Sequence, residues 1–269
     1  MEPDSAPPQE AAGDATAAVG EAPAGVGEAA DAPPATPRQR WRLVLARDAS
    51  AAGPTGRELS DAWEAAVDAT GLPLHRPAGR ARARVAFGAP APAGIALERE
   101  LADIVLTEMV PRWVVRESLD GRLPDGWRLI DVFDVWLGAP ALAGQVVAAD
   151  YRIDLGDADA TVVAAAAGAL RAAERLPRER VKGTATVAYD LRPLVVDVSV
   201  ADDGPPLVLR TRTRFHPVLG TGRPDEVLAT LGDLAGVVLD VRSVVRERVL
   251  VAEELEAGPV PRLRARHRD

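Results

Sequence analysis

Residues 220–232, GTGRPDEVLATLG, have the composition of a phosphate-binding turn, because two glycines and an arginine precede a helical run. Gly-rich turns that open helices bind anions through exposed backbone N–H groups. Here Asp225 and Glu226 occupy the first helical turn, where a phosphate would have to bind, and no Lys-Ser/Thr pair follows. We therefore interpret the stretch as a tight strand-to-helix turn closed by Gly220 and Gly222, whose glycines matter for backbone geometry. Only Arg223 remains as a candidate ligand-binding residue.

Two further groups of arginines could bind phosphates or an acidic partner. The first is the loop 79–84, GRARAR, in which Arg80, Arg82 and Arg84 would line one side of an extended chain. The second group lies at alternate positions of two predicted strands, and its members are Arg210, Arg212, Arg214, Arg242, Arg246 and Arg248.

The two arginine-bearing strands would flank a third strand, 149–155, whose outward residues are Asp150, Arg152 and Asp154. Charge would then alternate across three strands, which is typical of cross-strand ion pairs worth about 0.2–1 kcal/mol each. For the loop, the structural alternative is a solvated segment. Neither group has the interleaved aromatic residues that stack on RNA bases. RNA binding and docking of a protein partner both remain open for these arginines.

The rest of the sequence offers no constellation for catalysis or metal binding. It contains no Cys, which excludes disulfides, thiolate zinc sites, a Cys nucleophile and Cys-ligated iron–sulfur clusters. The three histidines, His75, His216 and His267, have no partners at metal-ligand spacing. We therefore expect no cofactor and no metal, and the sequence favours a non-catalytic protein. The enzyme alternative is a carboxylate-based site near Glu58 or Asp225.

The charge of the chain is unevenly distributed. The net charge is −8 over 269 residues, yet residues 1–37 contain seven acids and no Lys or Arg, so the remainder is almost neutral. Because the segment 1–39 is also rich in Ala, Pro and Gly, we predict that it is disordered. Residues 257–269 form a second, basic tail. No apolar run approaches the ~18 residues of a membrane span, and no signal peptide is evident, so we expect a cytoplasmic protein without membrane contact.

Hydrophobic periodicity predicts the element order β-α-β-β-α-β twice, over 40–147 and 148–256. In the second repeat, 184–200 is predicted as one strand with a bulge at Pro193, and 237–251 as the last strand. This order is typical of α+β proteins with ferredoxin-like units. The sequence therefore predicts two tandem ferredoxin-like units, each an antiparallel sheet with helices on one face.

Over residues 41–251 the chain resembles the radical-SAM-linked domain, a bacterial domain of unknown function. The resemblance rests on the common order of six short motifs: Gly71-Leu72-Pro73, Leu123-Pro124-Asp125-Gly126, Pro140-Ala141-Leu142, Ala149-Asp150-Tyr151, Asp190-Leu191-Arg192-Pro193 and Gly222-Arg223-Pro224-Asp225-Glu226. It implies an accessory protein that acts beside a separate radical SAM enzyme in RNA or translation-related metabolism. A radical SAM enzyme and RNA are therefore the expected partners.

The chain departs from that family at two motifs. Thr55-Gly56-Arg57-Glu58 stands where the family has Ser-His-Leu-Asp, and the loop 79–84 replaces Gly-Phe-Asn-Pro-His-Pro. The resemblance therefore identifies a divergent member that lacks the residues of those two family motifs.

Overall fold

The computed structural model of the chain describes residues 35–50, 56–201 and 204–256. The predicted acidic tail lies outside the described residues except for positions 35–39, and the predicted basic tail lies wholly outside them. The described strands are β1 (Gln39–Arg47), β2 (Ala86–Phe87), β3 (Ala96–Leu106), β4 (Trp127–Val135), β5 (Val146–Asp154), β6 (Pro177–Lys182), β7 (Ala185–Asp190), β8 (Val195–Ala201), β9 (Val208–His216), β10 (Gly220–Thr221) and β11 (Ser243–Val251). The described helices are α1 (Gly56–Asp68), α2 (Arg112–Leu119), α3 (Leu142–Gln145), α4 (Ala160–Ala172), α5 (Pro224–Ala235) and α6 (Ala252–Glu256).

The protein is a mixed α+β protein built on one large sheet. Nine strands form this sheet in the order β10-β9-β5-β11-β3-β1-β4, with β2 also paired to β3 and β8 to β9. The first half therefore has the spatial order β4-β1-β3-β2 and the second half has β11-β5-β9-β8, with antiparallel contacts inside each half. Separate sheets were expected for the two halves. Instead, β11 runs parallel to β3 and joins them.

The join between the halves is short. Only two residue pairs, Val245 with Ala96 and Arg246 with Leu97, are in register between β11 and β3. Strand β2 pairs further along β3, so β11 and β2 share the edge of β3 that faces away from β1. The loop 88–95 therefore crosses from β2 back to the start of β3 beside this join.

Helices cover one face of the sheet because their apolar stripes match its buried residues. In α1, Leu59, Trp63 and Val67 recur every four residues and are buried against β1 and β3. Helices α4 and α5 build a second core over β5, β8 and β9. The start of α4 is fixed by the carboxylate of Asp159, which accepts hydrogen bonds from the backbone N–H groups of Thr161 and Val162. Each large apolar side chain buried in this way contributes about 1.5–3 kcal/mol.

The segment predicted as one strand over 184–200 is instead divided. Strands β6 and β7 form a separate two-stranded hairpin, and a 3-10 turn at Arg192–Leu194 precedes β8. Pro193 lies in this turn rather than at a strand bulge. The side chain of Asp190 stabilises the break, because it accepts hydrogen bonds from the N–H groups of Leu176 and Arg192. The last strand also begins later than expected, at Ser243.

The two glycines of the turn that precedes α5 are required for different reasons. The residue with positive φ is Gly220, at 94°, and the backbone of Gly222 does not lie in that region. A Cβ on Gly222 would instead lie 2.5 Å from the carbonyl oxygen of Leu194 and 3.0 Å from the Cβ of Thr213. Gly222 is therefore required because the chain passes directly over the start of β8 and the strand β9.

This packing predicts that Gly222→Ala lowers the free energy of unfolding by about 1–3 kcal/mol, the usual cost of forcing an extra carbon into a close-packed site. The matched control is Gly168→Ala in α4, where an added Cβ has no neighbour within 4 Å. That change should stabilise the helix by about 0.5–1 kcal/mol. Urea unfolding of both variants checks the prediction, and equal stability of Gly222→Ala and wild type would contradict it.

Candidate anion-binding cleft and charged sheet face

The basic loop 79–84 is not extended but folds onto helix α1. The Nη2 of Arg80 donates to both carboxylate oxygens of Glu64, at 2.8 and 2.9 Å. The Nη1 of Arg82 lies 3.5 Å from the backbone oxygen of Asp61. Arg84 is exposed and makes no hydrogen bond or ion pair within the described parts of the chain. The three guanidinium groups therefore do not form the regular track that an extended loop would give.

The loop forms one wall of a cleft of about 1240 Å³, hereafter the basic cleft. Helix α1 and the residues 137–143 form its other walls. Four arginines line it, namely Arg40, Arg57, Arg80 and Arg84, together with His75, and three acids accompany them, namely Asp61, Glu64 and Asp103. The cleft is therefore close to balanced in formal charge, and its ability to bind anions depends on which arginines are already paired.

Two of the four cleft arginines are tied to acids of the protein. Arg40 is buried, donates to Asp103 at 2.8 Å, and binds the carbonyl oxygens of Ala139 and Pro140. Arg80 is held by Glu64. By contrast, the side chain of Arg57 is 94% exposed, and its nearest acid, at 3.9 Å, is exposed as well. Arg57 and Arg84 are therefore the arginines that the cleft offers to an anion.

The second arginine group forms a network of ion pairs on the face opposite α4 and α5. We call this surface the charged face, and it consists of Asp150, Arg152, Arg210, Arg212, Glu247 and Arg248. Asp150 accepts from Arg212 at 2.6 and 3.0 Å and from Arg248 at 2.9 Å. Glu247 accepts from Arg210 at 2.9 and 3.0 Å and from Arg152 at 3.0 Å. Each arginine of the charged face therefore already has a carboxylate partner.

The pKa of Asp150 reflects this network. Partial burial of the carboxyl favours its neutral form, but the hydrogen bonds and charges of Arg212 and Arg248 outweigh burial and hold its pKa below the ordinary value. A carboxyl with a lowered pKa in the folded state stabilises the fold at neutral pH. The ion pairs of the charged face therefore contribute to the stability of the fold.

Arg246 does not lie on the charged face, where the alternation of arginines in β11 had placed it. A bulge at Glu247 shifts the register, so that Arg246 faces Tyr151 whereas Arg248 faces Asp150. Arg246 consequently points to the helix-covered side and is 1% exposed. Its Nε and Nη2 donate to the two oxygens of Glu100 at 2.5 and 2.6 Å. This pair links β11 to β3 across the join between the halves.

A second buried arginine lies near this pair. Arg47 is 2% exposed, its Nη2 donates to the carbonyl oxygens of Pro92 and Ile95, and its guanidinium lies 5.4 Å from the ring of Trp127. Burial and the positive charge of Arg246 lower the pKa of Arg47. Glu100 is thus the carboxylate that faces two buried guanidinium groups.

The remaining sequence-predicted arginines lie apart from one another. Arg242 is half exposed and pairs with Asp240 at 3.3 Å and Asp157 at 3.5 Å. Arg223 is exposed at the start of α5 and forms no side-chain cap there. Arg214 is half-buried, and its Nε has no acceptor among the described residues. The structure therefore does not gather these three into one site.

Sequence reasoning missed the carboxylates that organise these arginines. Glu98, Glu100 and Glu247 were not considered, although Glu98 pairs with Arg152 and the others hold Arg210 and Arg246. The sequence signal for Glu98 and Glu100 is their position in the strand 96–106, because acids in a strand commonly pair with arginines of neighbouring strands. Arg57 lines the same cleft as the loop residues because the loop folds onto α1, a contact that no local sequence pattern indicates.

No helix in the described segments is long and apolar enough to cross a membrane. Across the same segments, no group of three or more His, Asp or Glu side chains is placed to hold a metal ion.

The chain belongs to DUF2344, a family described as an uncharacterized protein conserved in bacteria, whose model matches residues 46–223. That description contains no link to radical SAM enzymes, so this association stays a prediction. No curated protein matches the chain. A chain in the crystal structure of a Cbf5-Nop10-Gar1 complex is similar with a TM-score of 0.44 and 9% identity, over 78% of this chain and 48% of that one. This chain thus spans about half of that protein's length, and so weak a likeness supports no argument.

The buried pair predicts a large effect of removing its acid. Glu100→Ala leaves Arg246 and Arg47 buried without a carboxylate, so the free energy of unfolding should fall by about 3–5 kcal/mol. The control is Asp240→Ala, which removes the exposed partner of Arg242 and should cost less than about 1 kcal/mol. Urea unfolding measures both. The double variant Glu100→Met/Arg246→Met should recover part of the loss, because only Arg47 then remains buried without a carboxylate. Similar losses for Glu100→Ala and Asp240→Ala would refute this account.

The lowered pKa of Asp150 predicts a pH-dependent loss of stability. Its stabilising effect is complete above the unfolded-state pKa of about 3.9 and disappears as the pH falls through the lower folded-state pKa. Asp150→Asn should therefore destabilise the protein by about 1–3 kcal/mol at neutral pH and by progressively less in acid. Asp157→Asn, at a position that is 90% exposed, is the control. The prediction fails if the cost of Asp150→Asn is the same at both ends of a pH series of chemical denaturation curves.

Proposed function

We propose that this protein is a non-catalytic accessory protein that binds a phosphate-bearing partner, with RNA as the first candidate, in the basic cleft. The observation that carries the proposal is the fold of the basic loop onto α1, so that Arg57 and Arg84 both line one cleft of about 1240 Å³. Guanidinium groups suit phosphate because their planar N–H donors match its oxygens. Arg57 and Arg84 can approach a phosphate without first breaking a strong internal ion pair.

The charged face is the weaker candidate for RNA binding. Arg210 and Arg212 each make paired hydrogen bonds to a carboxylate, so a phosphate would have to displace Glu247 or Asp150. It would also meet the negative charge of the displaced carboxylate. The ion-pair alternative therefore accounts for this face, and the RNA proposal rests on the cleft.

The resemblance to the radical-SAM-linked domain supports a second part of the proposal, a protein partner. We infer from this resemblance that the partner is a radical SAM enzyme, and it would be a separate chain since this one has no Cys to ligate an iron–sulfur cluster. We also interpret the two halves as ferredoxin-like units. Their spatial orders, β4-β1-β3-β2 and β11-β5-β9-β8, both follow the 4-1-3-2 arrangement of that fold and support this interpretation.

The cleft proposal predicts that Arg57→Ala/Arg84→Ala weakens binding to a single-stranded RNA oligonucleotide by about tenfold or more, measured by fluorescence anisotropy. The slope of log affinity against log salt should also fall by about 1–2, because two phosphate contacts are lost. The matched control is Arg171→Ala/Arg175→Ala, which removes the same charge from exposed positions at the end of α4 and beyond it. Its affinity should stay within about twofold of the wild type.

Two results would sink the proposal. One is equal weakening by the two double variants, which would indicate a non-specific charge effect. The other is an absence of RNA binding by the wild type at physiological salt. Affinity capture of the full chain, with and without ribonuclease treatment, separates the two expected partners: an RNA-dependent partner is lost on treatment, whereas a directly bound radical SAM enzyme is retained.

A further inference from the structure

A second cavity, of about 550 Å³, lies where the two halves of the sheet meet on the helix-covered side. The loop 88–95 forms one wall and the first turn of α5 forms another. Arg246 and Tyr151 lie at its inner end, since they line the cavity and are 1% and 3% exposed. This cavity is separate from the basic cleft, with which it shares no lining residue.

An excess of buried positive charge lies next to the inner end of the cavity: Arg246 lines the cavity, and Arg47, which does not line it, donates to the carbonyl oxygens of the wall residues Pro92 and Ile95. Arg47 and Arg246 are both buried, and Glu100 is the acid that faces them within the described residues. Backbone carbonyl oxygens and the ring of Trp127 compensate part of the charge of Arg47 but bring no negative charge. A buried charge without a counter-charge is costly, so an anion that enters this region would be favoured.

Arg246 also retains a donor that can reach such an anion. A guanidinium group has five N–H donors. Three are used, two by Glu100 and one by the carbonyl oxygen of Pro90. The hydroxyl of Tyr151, which lies beside Arg246, is a further donor. A fourth guanidinium N–H is directed at the hydroxyl oxygen of Tyr151, so one guanidinium N–H and the hydroxyl proton of Tyr151 can meet at the inner end of the cavity.

The walls nearer the opening are mostly apolar. Ile95 comes from the loop, Phe215 from β9, Leu228 from α5 and Val244 from β11. At the rim, Arg223 and Asp225 have opposite formal charges. The rim thus adds little net attraction for anions, and selection by charge has to occur at Arg246. Pockets with apolar walls and a few convergent polar groups are typical of small-molecule sites.

We propose that this cavity is a binding site for a small organic acid with an apolar body. The carboxylate binds at Arg246 and Tyr151, and the apolar body packs between Ile95, Phe215 and Leu228. An ion without an apolar part would leave these walls unfilled, and a neutral apolar molecule would leave the buried charge uncompensated. The buried guanidinium group and the apolar walls together therefore favour an anion with an apolar body.

The test uses benzoate as the probe and benzamide, its neutral isostere, as the matched control. In titrations of the full chain followed by two-dimensional NMR, benzoate should saturate at millimolar concentrations. The amide signals of Tyr151, Gly222 and Arg246 should shift on binding. Benzamide should bind about tenfold more weakly, which corresponds to about 1.4 kcal/mol.

Two variants locate the binding. Ala93 lies exposed on the loop wall, so Ala93→Trp should block the cavity without disturbing the core, and benzoate binding should be lost. Leu228→Trp, which fills the cavity from α5, should have the same effect. Ala172→Trp, at an exposed position of α4, should bind benzoate as the wild type does. Equal affinity for benzoate and benzamide, no saturable binding, or binding that survives Ala93→Trp would each overturn the proposal.

Discussion

A buried ion pair between Glu100 and Arg246 links the two halves of the sheet. The halves share only two residue pairs of parallel backbone contact, and the ion pair with Arg246 crosses at that point. Because both side chains are almost completely buried, neither can lose its partner without leaving an unpaired charge in the core. The arrangement therefore makes the relative position of the halves specific, since a shift of β11 along β3 would separate the charges.

The bulge at Glu247 is the backbone feature that makes this possible. It turns Arg246 inward while keeping Arg248 on the opposite face, within reach of Asp150. The extra residue is itself used, because Glu247 accepts from Arg152 and Arg210. One irregularity in one strand thus supplies both the buried pair and the acid that neutralises the charged face. An unbroken strand would place Arg246 and Arg248 on the same side.

The sequence predicted the regular helices and strands of this structure. Its predictions were wrong or incomplete where the backbone departs from helical or strand periodicity. Strand β1 and helices α1, α2, α4 and α5 follow from hydrophobic spacing, which is a local signal. The β6–β7 hairpin was missed because most of its residues are exposed and show no buried face. Arg246 was misplaced because strict alternation cannot show a bulge. The loop 79–84 folds onto α1 through a contact to Glu64, which lies outside any local pattern.

In a chain with many arginines, the arginines that lack a carboxylate partner indicate binding sites better than the total number of arginines does. Carboxylates of the protein occupy the arginines of the charged face, whereas Arg57 and Arg84 in the open cleft and the surplus buried charge near Arg246 lie at cavities that a ligand could enter. These two sites differ in their exposure to solvent. Solvent screens the cleft arginines, so they suit a long polyanion that makes several weak, salt-dependent contacts. The charge near Arg246 is shielded from water and bounded by apolar walls, so there a single anionic group with the right shape gains more than a larger number of charges would.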